Sequence, residues 1–304
     1  MKTLSVNRIT IAAIAVVFSA ILYSCQKENS VNSSSAASVT EEDAKVYADE
    51  STQTEGSFDD VEDVSMTAAQ EESVASTAGR SGEAGRPYLP GFDELRLRLG
   101  PCATITVTPN DSTYPKTITI DFGAGCLCAD GKFRKGAVIL YLTGPIRIPG
   151  SVLTITLRDF YLNRAHIEGS KVISNLSEGG NIKFTVQVTG GKVTFPNGRG
   201  YQYESLKYVQ QIEGGATPIC RDDVFSIQGR SSTQFNNGVT VNLNTETPLI
   251  KKVVCPWISN GILKIKINDR ILFLNYGAPN NGDCDNKALL TWNNGNNQLL
   301  ITLP

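Results

Sequence analysis

A single histidine limits what this chain can do. Multi-histidine zinc, copper and non-haem iron sites are excluded by count, and any catalytic triad would have to use His166. That residue sits in Asn163-Arg164-Ala165-His166-Ile167-Glu168 and reads as an exposed or hydrogen-bonded strand histidine. No Gly-x-Ser-x-Gly elbow accompanies it, and no P-loop or Gly-x-Gly-x-x-Gly follows a strand. A glycosidase needs only two carboxylates about 5–10 Å apart. Asp121, Asp159, Glu168, Glu204, Glu213, Asp222 and Asp223 are available, but their spacing selects no pair. No catalytic residue and no cofactor is expected.

Two weaker binding patterns remain. Trp257, Trp292, Tyr201, Tyr203 and Tyr208 are candidates for a flat aromatic platform against sugar rings, although such residues more often belong to the core of a β protein. Asp283 and Asp285, in the Asn-rich stretch 280–286, have oxygen ligands suited to calcium, although such loops are more often plain turns.

Cysteine carries the strongest signal. Cys25 ends an apolar leader, which leaves Cys102, Cys126, Cys128, Cys220, Cys255 and Cys284. An even number in an exported chain points to disulfides. Cys255 and Cys284 flank a hairpin around Asn268-Asp269, and Cys102 and Cys126 bracket another, so these pairs are expected and Cys128 is left with Cys220. A zinc knuckle is the rival reading, but the gap in Cys126-x-Cys128 is too short for it and no histidine lies near.

The elements that must carry these residues read as β. Residues 104–108 run Thr-Ile-Thr-Val-Thr, residues 117–122 repeat the habit, and residues 152–157 read Val-Leu-Thr-Ile-Thr-Leu. Period-two alternation marks strands with one buried face. Six Asp-Gly or Asn-Gly steps, starting at Asp130, Asn197, Asn237, Asn260, Asn281 and Asn294, suit tight turns. The expected body, residues 91–304, is an antiparallel sandwich or barrel-like domain of about a dozen strands.

Charge divides the rest of the chain. Residues 26–86 hold 14 acidic and 4 basic side chains, whereas residues 87–304 hold 16 and 22. Low hydrophobicity with high net charge reads as a flexible, disordered acidic linker over 25–90. Within it Phe58, Val61, Val64 and Ala68 recur at helical spacing. That stretch is either a transient helix in a solvated tail or a docking segment for a partner or for the body's own basic face. The basic charge of the body is weak and scattered, so nucleic acid is not an expected partner.

Residues 1–24 read as a signal peptide. Lys2 and Arg8 precede an uncharged run, 9–23, too short to span a bilayer. It ends in Leu22-Tyr23-Ser24-Cys25, which resembles the lipobox of bacterial lipoproteins; the resemblance implies a lipid on Cys25 and cleavage after Ser24. Gln26-Lys27-Glu28 loosely resembles the export tags of Bacteroidota surface lipoproteins, which implies the outer membrane. Phe58-Asp59-Asp60-Val61, Met66-Thr67-Ala68, Cys102-Ala103-Thr104-Ile105-Thr106-Val107, Thr117-Ile118-Thr119-Ile120-Asp121-Phe122-Gly123, Gly125-Cys126, Gly131 with Arg134-Lys135-Gly136, and Gly282-Asp283-Cys284-Asp285-Asn286 together resemble a group of uncharacterised Bacteroidota lipoproteins with a cysteine-bearing all-β body. The likeness implies an address and a cysteine framework, with Cys128 and Cys220 as an extra pair, and it supplies no catalytic residue. The expected function is a non-enzymatic envelope lipoprotein, a binding or structural module held to the membrane through Cys25, with an envelope protein or glycan as partner. The alternatives are a carrier of an apolar ligand in a β cavity and a carboxylate-dependent glycoside hydrolase.

Overall fold

A computed structural model describes residues 41–80, 90–180, 182–196, 198–215 and 222–303. The signal segment, Cys25, residues 81–89 and Cys220 lie outside them.

The body is one antiparallel sheet, as the alternation predicts. Its strands are β1 (Thr104–Thr108), β2 (Lys116–Asp121), β3 (Cys126–Leu127), β4 (Phe133–Leu142), β5 (Val152–Leu162), β6 (Ala165–Asn175), β7 (Lys183–Thr194), β8 (Gly200–Glu213), β9 (Val224–Phe235), β10 (Thr240–Lys252), β11 (Asn260–Ile267), β12 (Arg270–Asn275), β13 (Lys287–Trp292) and β14 (Asn297–Thr302). Each strand pairs with the next along the chain, except that β2 pairs with β4 and the short β3 joins the start of β4. Among the described residues β1 and β14 remain the two edges.

Alternation sorts the side chains. Ile118 and Ile120, Leu140 and Leu142, Leu153 and Ile155, Val186 and Val188, and Ile265 and Ile267 bury one face in a single core. The hairpin turns use left-handed residues. Asn163 and Arg164 both have positive φ between the paired Leu162 and Ala165, which a two-residue turn requires. Asn268 plays the same part between Ile267 and Arg270. Asn260-Gly261 is no turn; it opens β11 instead. At Gly136 on β4 the register slips, and a Cβ there would meet the Asp159 carbonyl oxygen at 2.1 Å, so only glycine fits.

Residues 41–80 depart from the linker reading. They form one helix of 40 residues, α1 (Glu41–Arg80), and Phe58, Val61, Val64 and Ala68 are buried in the core of the sheet. α1 touches β4 and β5 on one side and β10 and β11 on the other, so the sheet curls around it. Ser51, Thr54, Ser65, Ala69, Ser73 and Ser76 are also buried along it. These small side chains let the helix lie close against the strands. An acidic helix without partners is marginal in water; here the sheet supplies both an apolar floor and opposite charge. A short helix, α2 (Asp93–Leu99), follows. The backbone N–H groups of Glu94 and Leu95 donate to the Glu71 carboxylate of α1 at 3.0 and 3.2 Å, so one helix caps the next.

Candidate functional site

The densest chemistry lies where α1 meets the concave face of the sheet. Arg134 on β4 and Asp60 on α1 have side chains 0% and 1% exposed and are joined by two-pronged contacts of 2.8 and 3.1 Å. Lys132 and Arg98 each reach the same carboxylate at 2.9 Å. Burial alone would raise the Asp60 pKa, and the charges of Arg134 and Lys132 outweigh it, so the carboxyl stays below its usual range. Asp130 follows the same logic: burial opposes ionisation, yet the Arg134 hydrogen bond and charge lower its pKa to about 2.

The clamp continues along the helix. Lys171 on β6 holds Glu62 at 2.6 Å and donates to the Phe58 carbonyl at 2.8 Å. Lys207 on β8 bonds Glu55 and Asp59, each at 2.8 Å. Lys116 on β2 lies 3.4 Å from Glu72, which also accepts from the Tyr114 hydroxyl. Tyr203 stacks on Phe58 with ring centroids 4.8 Å apart, and its hydroxyl donates to Glu55.

Beside the clamp the helix presents two further acids. Asp59 and Asp63, one helical turn apart, have side chains 49% and 64% exposed. The Asp63 pKa is nevertheless raised to about 6, because surrounding protein excludes bulk water more effectively than Arg98 stabilises the charge. Asp59 is shifted the other way: burial opposes ionisation there too, but Lys207 and Lys171 prevail. Lys251, whose pKa is lowered by burial, faces both carboxyls, and Tyr276 faces Asp59 and Glu55. Ser205 lies between Tyr203 and Lys207 on the inward face of β8, opposite Ser231 of β9. Both hydroxyls are buried and have no hydrogen-bond partner among the described residues. Two carboxyls pushed apart in pKa can divide acid and base roles.

Sequence reasoning missed this row because it assigned these acids to a linker. The signal was nevertheless present: Glu55, Asp59 and Asp63 recur every four residues, next to the apolar stripe.

The residues singled out from sequence fare differently. Cys102–Cys126 and Cys255–Cys284 are bridged as the hairpins predict. Cys128 is a buried free thiol, so the third expected bridge does not form at it. The reason lies in the topology. Cys128 sits beside the start of β4, at the end of the sheet where β8 begins, whereas the described residues flanking Cys220 continue from the far end of β8. The aromatic platform does not assemble either. Tyr201 and Tyr203 face the core, Tyr208 projects from the opposite face of the same strand, Trp292 is buried on β13, and Trp257 packs against the core between β10 and β11. Alternation along β8 is what separates the tyrosines.

Asp285 is committed to its own turn, accepting from the Lys287 N–H at 2.6 Å and from the Asn280 amide, while Asp283 is exposed. The two are not among the groups that converge as metal ligands among the described residues; the converging set is Cys102, Cys126 and Cys128. His166 stacks on Tyr161 at 4.5 Å, with Nδ1 3.7 Å from Glu168. The remaining carboxylate candidates are dispersed: Asp121 pairs with Arg158, Glu168 with Lys192, Glu204 accepts from the Gly190 N–H, and Asp223 accepts from Gln211.

No helix among the described residues is long and apolar enough to cross a membrane. No protein-family model, no curated protein and no solved structure matches this chain.

Proposed function

We propose that this chain is a non-enzymatic lipoprotein of the cell envelope, tethered to the outer membrane through Cys25, whose β body acts as a binding or structural module toward an envelope protein or glycan. One observation carries the choice over a carrier: α1 lies where a carrier would hold its ligand. Its Phe58, Val61, Val64 and Ala68 fill the concave face, and buried bases pin its acids in place. A carrier needs a hollow lined by apolar groups, and here the chain's own helix takes that place. The leader ending at Cys25 supports the tether.

A second reading, a carboxylate hydrolase, rests on Asp59 and Asp63, two carboxyls one helical turn apart on α1 and open to solvent. One experiment separates the three. The full chain is purified from cells, weighed beside Cys25→Ala, extracted with organic solvent, and incubated with envelope glycans. The module predicts acyl mass that the variant lacks, no stoichiometric extracted lipid, and intact glycans. An apolar molecule recovered one to one would favour the carrier, and reducing ends released by the wild type but not by Asp63→Asn would favour the hydrolase.

A further inference from the structure

The third sulfur beside the Cys102–Cys126 bridge has no part in the module described above. Cys102, Cys126 and Cys128 bring their Sγ atoms within 4.8 Å of one another. Cys102 and Cys126 are partly exposed, whereas Cys128 is 4% exposed. Cys102 Sγ lies 3.1 Å from the Leu127 carbonyl oxygen, between the other two cysteines in sequence. The position of Cys128 is set by a tight turn: its N–H donates to the Lys132 carbonyl at 2.9 Å, and its carbonyl accepts from Gly131 at 3.0 Å.

We propose that these three residues form a thiol-exchange site for small thiols, with Cys128 as the resolving group. An outside thiolate can reach the bridge but not the sheltered thiol. Attack on Cys102 Sγ breaks the bond to Cys126, joins the small thiol to Cys102, and releases Cys126 as thiolate. Cys128 passes its proton to that thiolate and attacks Cys102 Sγ. A Cys102–Cys128 bond forms and the small thiol leaves as thiolate. Attack at Cys126 gives Cys126–Cys128 by the same steps. One disulfide and one thiol enter and leave, so no oxidant is consumed and the small thiol is regenerated. Arg134, hydrogen-bonded to Cys128, stabilises its charge as it forms, while burial holds the resting thiol protonated.

The full chain is incubated at pH 8 with reduced glutathione and acid-quenched, its free thiols are blocked in denaturant, and it is digested without reduction for mass mapping. Of Cys102, Cys126 and Cys128, only Cys128 should carry the blocking label before incubation; afterwards the label should appear on Cys102 or Cys126, with Cys128 bridged. In the Cys128→Ser variant only the released partner of the bridge can expel the glutathione, so the Cys102–Cys126 bond should return and no new pairing should appear. Absence of label from both Cys102 and Cys126 throughout the incubation overturns the proposal, as does a Cys128–Cys220 bridge in the starting protein. The wild-type mapping decides the matter even if the variant fails to fold.

Discussion

Asp63 shows how a position in the fold changes the chemistry of an ordinary side chain. Its ordinary pKa of 3.8 rises to about 6, because loss of hydration outweighs the charge of Arg98. The folded state therefore holds the proton more tightly than the unfolded one, and ionised Asp63 weighs against folding. Its contribution to stability falls as pH rises from about 4 through about 6. Asp63→Asn should remove that decline: thermal unfolding of the variant should occur above wild type at neutral pH, with the gap closing toward pH 4. Asp60 and Asp130 have the opposite sign. Their lowered values give stability that is present above the usual carboxylate range and lost as pH falls through the folded values, about 2 for Asp130. Neither sign could be read from sequence, because the surroundings of Asp63 come from α2 and β10 and those of Asp60 from β4.

At the scale of elements, the contact between α1 and β4 rests on a buried ion pair. Arg134→Met removes the fully buried partner of Asp60 and Asp130, leaving Asp60 to Lys132 and Arg98 at its more open side, an expected loss of about 3 kcal/mol in urea unfolding. Arg134→Met combined with Asp60→Leu should recover most of it, since well-packed apolar pairs replace buried ion pairs at little cost. A negligible loss in Arg134→Met alone would mean that Lys132 and Arg98, not Arg134, hold the carboxylate. The helix itself was half legible. Phe58, Val61, Val64 and Ala68 mark an apolar stripe, but Ser51, Ser65, Ser73 and Ser76 on the buried side read as polar until the close approach of the strands is known. The acids between them look like solvated linker for the same reason.

For the whole molecule, the sheet ends in two edges among the described residues and depends on its filling and its covalent ties. Cys255–Cys284 joins the segment before β11 to the segment after β12 across a separation of 29 residues. The Cys255→Ala/Cys284→Ala chain should lose about 3–4 kcal/mol by the loop-closure argument, read as a lower unfolding midpoint with unchanged far-ultraviolet dichroism. The hairpin at Asn268-Asp269 made this bridge predictable, because local turns place sequence neighbours side by side. The Cys128–Cys220 pairing had no such support, and the length of β8 argues against it.

Local pattern determined the strands, the two hairpin bridges and the scarcity of imidazole chemistry, because alternation, turn residues and composition act over a few residues. The tertiary structure alone decided that the acidic segment is a core helix, that the tyrosines of β8 do not form a platform, and that three sulfurs meet. Each of these depends on partners distant in sequence: Arg134 for Asp60, Lys207 for Asp59, Cys102 for Cys128. Burial and opposite charge turn a soluble-looking stretch into a packed one, and both are supplied by strands that the segment meets only once the sheet has curled around it.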